Sequence, residues 1–427
     1  MIQTKPLVVF TYAPAGLGHI RVTDAFRTSL PKHFSSTVFS PANKFIETMH
    51  RLTSINLVAR EITEWVQRGL PQAIFTHYFR NYLKTHVEDL AEQFINLILS
   101  QADRPQTVIV IATHFGLAHQ LGAIMTELTT ILNVKIYLVV QVTDDSPQSI
   151  WYVDQADLIV CPGAGTKATL AEYGRKAHLR PVPIAVLPYP INPDFSIKLS
   201  ASQLKERQDQ YDQSSQIPIN IAIPISGAAV GTHFFVHLIE KLHAKSARFV
   251  FHIVCRKAPF TLEFIETMQN KPYVKLYTAK SYQKTVDLYD QVYLNHVISA
   301  EITKPSEQSF KALLSHEAVA GSVLFFAQPV GRQEFDNLKF FKRHQLLSSP
   351  ANQTRNWLLP FSLDASVEFI WQKFNSGQLL EVFNHPAKPE ITAETGDNGA
   401  QLFWDLIEKT FCLSENPKCQ PRLALKT

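Results

Sequence analysis

Short runs of consecutive apolar residues, each followed by an amphipathic stretch, recur along the 427-residue chain. Leu7–Tyr12 is the first such run, and its length fits a strand buried on both faces of a parallel sheet. A helical pattern follows from about His19 to Leu30. Val108–Ala112 predicts a second buried strand. After it, Leu117, Leu121, Ile124, Leu128 and Ile131 recur every three or four positions, an amphipathic helix ending near Asn133. Ile136–Val142, Leu158–Cys161 and Val182–Leu187 read as further strands. Between Pro41 and Ser100 lies a long helical insertion, whose best helix is marked by Leu83, Val87, Leu90, Phe94 and Leu97.

From about Ser200 to Gln216 the chain turns polar and no apolar stripe holds, so the segment reads as a linker or surface stretch. The alternation then restarts. Ile219–Ile225, Phe249–Val254, Val274–Tyr277, Val292–Leu294 and Val323–Phe326 read as strands. Phe234–Leu242, Phe264–Met268 and Phe310–Leu314 read as helices. Alternation of this kind predicts an α/β chain of two tandem Rossmann-like doubly wound domains. The expected division is residues 1–196, a polar linker over 197–217, and residues 218–427. A C-terminal helix over about Ala400–Phe411 closes the second domain. Ligands of such sheets bind outside the C-terminal ends of the strands.

Composition narrows the function. Charged residues are 18% of the chain, below the ~25% of an average soluble protein, and 45% are hydrophobic, so disorder is excluded. Lys and Arg number 41 against 37 Asp and Glu. The resulting +4 is too weak for a dedicated nucleic-acid binder, yet suits an anionic substrate or a membrane surface. Cys161, Cys255, Cys412 and Cys419 are too few and scattered for a disulfide scaffold. No apolar run reaches the ~18 residues of a membrane span. A cytoplasmic protein with at most peripheral contact at the inner face of the membrane is expected.

Glycine is scarce, 15 in all, so its clusters carry weight. Gly16-Leu17-Gly18-His19 follows the first strand, and Ser226-Gly227-Ala228 follows the first strand of the second half. Either leaves backbone N–H groups open at a helix start, an anion or hydroxyl site, and either also reads as a plain tight turn. Thr303-Lys304-Pro305-Ser306-Glu307-Gln308-Ser309 enters a helix and reads equally as a capped start. Gln333, Glu334 and Asn337 are side chains suited to sugar hydroxyls. Val142-Thr143-Asp144 ends a strand with a carboxylate able to accept a proton, or to cap the next helix. No Asp-x-Asp pair appears, and His114 and His119, five apart, do not share a helix face well enough for zinc.

The order of these motifs resembles inverting glycosyltransferases of the GT-B fold, in particular the monogalactosyldiacylglycerol synthase, diacylglycerol glucosyltransferase and MurG-like group. The Gly-rich first loop ending in His is matched by Gly16, Gly18 and His19, and the Val-Thr-Asp strand end by Val142-Thr143-Asp144. Further matches are Trp151 through Asp157 to Pro162, Pro190-Ile191-Asn192-Pro193-Asp194-Phe195, Thr303-Lys304-Pro305 with Ser309, and Gln333, Glu334 and Asn337. The resemblance covers roughly residues 7–345. It implies a hexosyl or N-acetylhexosaminyl transfer from a nucleotide-diphosphate sugar, a UDP-sugar in this group, to an acceptor hydroxyl, lipid-linked or other. Neither cofactor nor metal is implied. His19 is expected as base with Asp144 as its partner, and Gly16, Gly18 and His114 on the acceptor. Ser226, Gly227, Ala228, Lys304, Pro305, Ser306, Glu307, Ser309, Gln333, Glu334 and Asn337 are expected on the donor.

Two departures stand out. Ser306 and Glu307 replace the two glycines that let the donor phosphates approach, and the position of the ribose-binding Glu is Lys311. A catalytically altered GT-B-fold binding protein and a sugar-nucleotide epimerase of the same fold therefore stand as alternatives. In the insertion, Phe45, Met49, Leu52, Ile55, Leu57, Trp65, Phe75, Tyr78, Phe79 and Tyr82 alternate with Arg51, Arg60, Arg68, Arg80 and Lys84. That mixture suits an interfacial helix or a flap packed on its own domain.

Overall fold

A computed structural model describes residues 5–12, 16–41, 78–85, 87–227, 229–386 and 391–413. The chain divides into two compact units. Residues 1–15, 21–192 and 398–427 form the first, and residues 16–20 and 193–397 form the second.

The first unit is built on a six-stranded sheet. Its strands are β1 (Leu7–Thr11), β2 (Ser35–Phe39), β3 (Thr107–Ala112), β4 (Lys135–Gln141), β5 (Leu158–Cys161) and β6 (Ile184–Val186). All pairings are parallel, in the order β2-β1-β3-β4-β5-β6. Every residue of β1 is buried, four apolar residues and Thr11, as a strand covered on both faces requires. Helices α1 (Leu17–Thr28), α2 (Glu88–Leu99), α3 (Phe115–Leu132) and α4 (Ala164–Lys176) flank the sheet sequence. Asn133 closes α3 with φ +52°, a left-handed stop that asparagine tolerates. The single helix expected over 83–97 is interrupted. Residues 78–85 are helical, and α2 starts after Val87 and buries Leu90, Phe94 and Ile98.

The second unit opens with α5 (Pro193–Ser196) and α6 (Ala201–Tyr211). Its strands are β7 (Ile219–Pro224), β8 (Phe249–Arg256), β9 (Val274–Ala279), β10 (Ala300–Thr303), β11 (Val323–Phe326) and β12 (Asn356–Leu358). They too pair in parallel, in the order β12-β11-β10-β7-β8-β9. Interleaved are α7 (Thr232–Lys245), α8 (Leu262–Gln269), α9 (Tyr282–Asn295), a 3₁₀ helix over Glu307–Leu313, α10 (Arg332–Arg343), α11 (Leu363–Asn375) and α12 (Gln378–Asn384).

Three elements depart from the sequence pattern. Val292–Leu294 is the end of α9 and not a strand, because Val286, Tyr289, Val292 and Tyr293 bury one helical face. Short apolar runs do not separate the two. The supposed linker contains α6, which packs on the second unit through a polar face. Arg207 is fully buried and donates to the carbonyls of His316, Ala318 and Val319, and Gln210 donates to Val297 O. The last helix, α13 (Gly399–Phe411), belongs with the first unit and not with the second. There Trp404 Nε1 donates to Phe26 O at 3.1 Å, and Phe403 stacks on Phe26 at 3.9 Å.

Each sheet reverses its winding once. In the first unit the reversal falls between β1 and β3, in the second between β7 and β10. Crevices for ligands open at the carboxyl ends of strands at such switch points.

Candidate active site

In the second unit the switch point is flanked by the segment after β7 and the segment after β10. Ile225 N–H donates to Val254 O at 2.8 Å, and Ser226 and Gly227 follow at the strand end. The turn closes through Ala229, at φ +51°, and Gly231, at φ +89°, from which α7 departs. Glycine reaches that conformation at little cost, which explains Gly231. Ala228 lies outside the described residues.

From Thr303, the last residue of β10, the chain runs into Lys304 and Pro305, all three buried. Ser309 Oγ donates to Lys304 O at 2.7 Å, and Asn337 Nδ2 donates to Pro305 O at 3.2 Å. Ser309 and Asn337 have no exposed surface, so they shape this loop from behind. Glu334, in the first turn of α10, accepts the Val330 N–H at 2.7 Å. Burial pushes its carboxyl above the usual range, Lys304 opposes this, and Glu307 adds to it. Gln333 on the same turn is exposed, and Ser306 is half-buried.

The first turn of α1, residues 16–20, groups with this second unit and meets both segments. A β-carbon on Gly18 would stand 2.8 Å from Glu307 Cγ, so Glu307 lies where a side chain at position 18 would be. A β-carbon on Gly227 would find Tyr282 Cε1 at 3.7 Å, Leu17 Cγ at 3.9 Å and Gly16 Cα at 4.0 Å, ordinary contacts. Gly16, Gly18, Gly227 and Glu307, from three distant stretches of sequence, thus share one neighbourhood. His19 follows Gly18 and is half-buried.

Lys311 is withdrawn from this neighbourhood. It is 3% exposed, and its Nζ pairs with Glu301 Oε2 at 2.5 Å and also donates to the hydroxyls of Tyr289 and Tyr293. Both tyrosines donate to the same Glu301 oxygen. Burial, and then Glu301, holds the Tyr293 hydroxyl protonated well above its ordinary pKa.

Tyr282 brings in a residue that no motif announced. The Arg256 guanidinium, at the end of β8, stacks over its ring 4.2 Å from the centroid, and 5.6 Å from that of Phe260.

In the first unit, His114 caps α3, its Nδ1 accepting the Leu117 N–H at 3.4 Å, and its ring stacks on Phe115. Thr23 of α1 and Thr113 after β3 are hydrogen-bonded at 3.1 Å, which fixes α1 beside the β3 end. Asp144 is half-buried. Its neighbour Asp145 accepts from Thr166 Oγ1 at 2.7 Å, in space that Gly163 leaves by lacking a β-carbon. His119 is buried, with Nε2 on Ile150 O at 2.9 Å, and burial depresses its pKa to about 3. It is a core histidine.

Of the insertion, residues 42–77 and 86 lie outside the described residues. Arg80 and Lys84 both pair with Asp154 at 3.1 Å, and Phe79 packs on the core of the first unit. These two cations are therefore bound within the unit. Tyr78 is 71% exposed. No described helix is long and apolar enough to cross a membrane. Among the described residues no group of three or more His, Cys, Asp or Glu could hold a metal ion.

A groove of about 910 Å³ lies beside β12, lined by Trp357, Phe369, Lys373 and Gln378 among others. None of the residues expected on donor or acceptor lines it.

The architecture has solved counterparts. The S. aureus MnaA–UDP co-structure matches with a TM-score of 0.52 at 10% identity, over 96% of this chain and 98% of that one. A Listeria monocytogenes chain assigned as a UDP-N-acetylglucosamine 2-epimerase matches with 0.52 at 10% identity, over 98% and 99%. A further UDP-N-acetylglucosamine 2-epimerase matches with 0.50 at 10% identity, over 97% and 98%. The fold is GT-B-like. At this identity the likeness establishes the fold alone. No family model matches the chain. No curated protein matches it either.

Proposed function

We propose that the protein acts on a nucleotide-diphosphate sugar, a UDP-sugar, and transfers its hexosyl or N-acetylhexosaminyl group with inversion to an acceptor hydroxyl. The observation that supports this is the meeting of Gly16, Gly18, Gly227 and Glu307 at the β7–β10 switch point. Gly227 and Glu307, expected on the nucleotide sugar, and Gly16 and Gly18, expected on the acceptor, lie together at the strand ends where such sheets bind ligands. Ser226 and Gly227 line the diphosphate, Lys304 adds positive charge, and Gln333 bonds the sugar hydroxyls. The acceptor proton passes to His19, whose ordinary pKa of ~6.5 lies close to working pH, or to Asp144. A carboxylate base at ~3.9 requires desolvation to compete.

Epimerisation of the nucleotide sugar is the second reading. It needs carboxylates beside a histidine in the nucleotide-sugar neighbourhood. Glu307 against Gly18, with His19 next in sequence and Glu334 sensing Glu307, is the observation that favours it.

Incubation with UDP-N-acetylglucosamine and UDP-glucose in D₂O, followed by proton NMR, decides between them. Release of UDP only when an acceptor hydroxyl is added supports transfer. Loss of the sugar H2 signal with a new epimer, without acceptor, supports epimerisation. Neither change, with no binding of any sugar nucleotide, leaves a binding protein that keeps the fold.

A further inference from the structure

We propose that Arg256 is the principal anion contact of this site, binding the diphosphate of the nucleotide sugar from the β7–β8 side. The inference rests on the reading of the β7–β10 crevice as the nucleotide-sugar site. It concerns a residue that no sequence motif assigned.

Three observations carry it. The first is position. Arg256 is the last residue of β8, the strand paired with β7. Its guanidinium stacks on Tyr282, and the edge of Tyr282 lies 3.7 Å from where a Gly227 β-carbon would be. Arginine, tyrosine ring and glycine turn therefore form one continuous surface at the strand ends. The second is an open valence. Among the described residues no carboxylate lies within ion-pairing distance of Arg256, and its Nε is buried with no hydrogen-bond partner. A planar fork of N–H donors held over a ring is suited to grip phosphate oxygens in pairs. Stacking also removes side-chain freedom before the ligand arrives.

The third is the contrast of charge across the switch point. The segments ending β8 and β9, residues 256–261 and 279–284, carry Arg256, Lys257, Lys280 and Lys284 and no carboxylate. On the β10–β11 side Lys304 stands among Glu307 and Glu334, and Glu307 occupies one of the positions where the resemblance calls for phosphate-approaching glycine. A dianion is repelled there and attracted toward Arg256. Arg256 at the β8 end thus supplies the larger share of the positive charge, and Lys304, offset by Glu307 and Glu334, the smaller.

The test is calorimetric, with inorganic pyrophosphate, UDP and UDP-N-acetylglucosamine titrated into the full chain, Arg256→Ala, Arg256→Lys and Lys241→Ala. Lys241, exposed on α7 and paired with Asp364, is the control for generic loss of one charge. Arg256→Ala should weaken all three ligands at least tenfold and flatten the salt dependence of binding. Arg256→Lys should recover part of the affinity, and Lys241→Ala should bind as the unaltered chain does. An unchanged thermal midpoint for Arg256→Ala excludes misfolding as the cause. Equal affinity of the unaltered chain and Arg256→Ala for pyrophosphate and UDP would overturn the proposal, as would failure of the unaltered chain to bind either. If pyrophosphate binds through Arg256 but no sugar nucleotide does, the anion site stands and the functional reading falls.

Discussion

Lys311 and Arg256 are two cations of the same unit with opposite fates. Lys311 stands where the resemblance expects a ribose-binding carboxylate, yet it is buried on Glu301 and two tyrosine hydroxyls. Its charge is consumed in holding the 3₁₀ helix against β10 and α9. Arg256 stands where no motif points, has no carboxylate partner among the described residues, and lies over an aromatic ring at the strand ends. A departure from a family pattern can therefore be structural. A cation suited to a ligand can lie on a neighbouring strand, far away in sequence.

The largest effect expected from this comparison is on stability. Lys311→Met strands the buried Glu301 carboxylate and should cost about 3–5 kcal/mol, measured by urea denaturation. Adding Glu301→Gln removes the stranded charge but keeps an acceptor for Tyr289 and Tyr293, and should restore more than half of the loss. Arg256→Ala, which strands no partner, should cost under ~1 kcal/mol, the scale of a cation–π contact. Similar costs for the two single variants would dissolve the comparison.

A smaller effect follows from two fully buried histidines, His119 of the first unit and His252 of the second. Burial holds both His119 and His252 near a pKa of about 3, against 6.5 unperturbed. His252 is fixed between Asn220 and the Tyr277 hydroxyl. The unfolded chain takes up these protons as pH falls below 6.5, while the folded chain does not until about 3. Stability is therefore complete above 6.5 and declines through that window, by up to ~1.4 kcal/mol per pH unit for each histidine. His119→Gln and His252→Gln should each flatten the slope of denaturation free energy between pH 6.5 and 5. An unaltered slope in both would contradict the burial argument.

The smallest effect concerns the first turn of α1. Gly18→Ala places a methyl 2.8 Å from Glu307 Cγ and should cost about 1 kcal/mol. Glu307→Ala in the same chain should relieve most of it, since the strain belongs to that pair. Gly227→Ala meets only ordinary contacts and should change stability by less than ~0.5 kcal/mol.

Most strands were legible because a sheet covered on both faces demands uninterrupted apolar runs, as in β1, β5 and β11. β2 and β12 were not, since the first is partly exposed and the second has three residues. α6 escaped notice because its buried face is Arg207, Gln210 and Tyr211, satisfied by backbone groups that no pattern of polarity reveals. The order of motifs marked Gly16, Gly18, Gly227 and Glu307 singly, but it put the first two on the acceptor in residues 1–196, whereas residues 16–20 group with the second unit. The inward turn of Ser309 and Asn337 was not, because a side chain that supports a loop and one that touches a ligand are the same residue types. Arg256 left no trace in sequence, as a lone arginine ending a strand is ordinary until its partners are seen.

Binding of a nucleotide-diphosphate sugar at the β7–β10 switch point of the second unit is the proposal on which the others rest. Calorimetric titration of a panel of UDP-, GDP-, ADP- and dTDP-sugars into the unaltered chain and Gly227→Val tests it most directly. Saturable binding of at least one sugar nucleotide, UDP-linked, is expected, and its loss in Gly227→Val, whose branched side chain extends toward Tyr282 and Leu17 while the thermal midpoint is retained. Undiminished binding by Gly227→Val, or no binding of any of the panel by the unaltered chain, would contradict it.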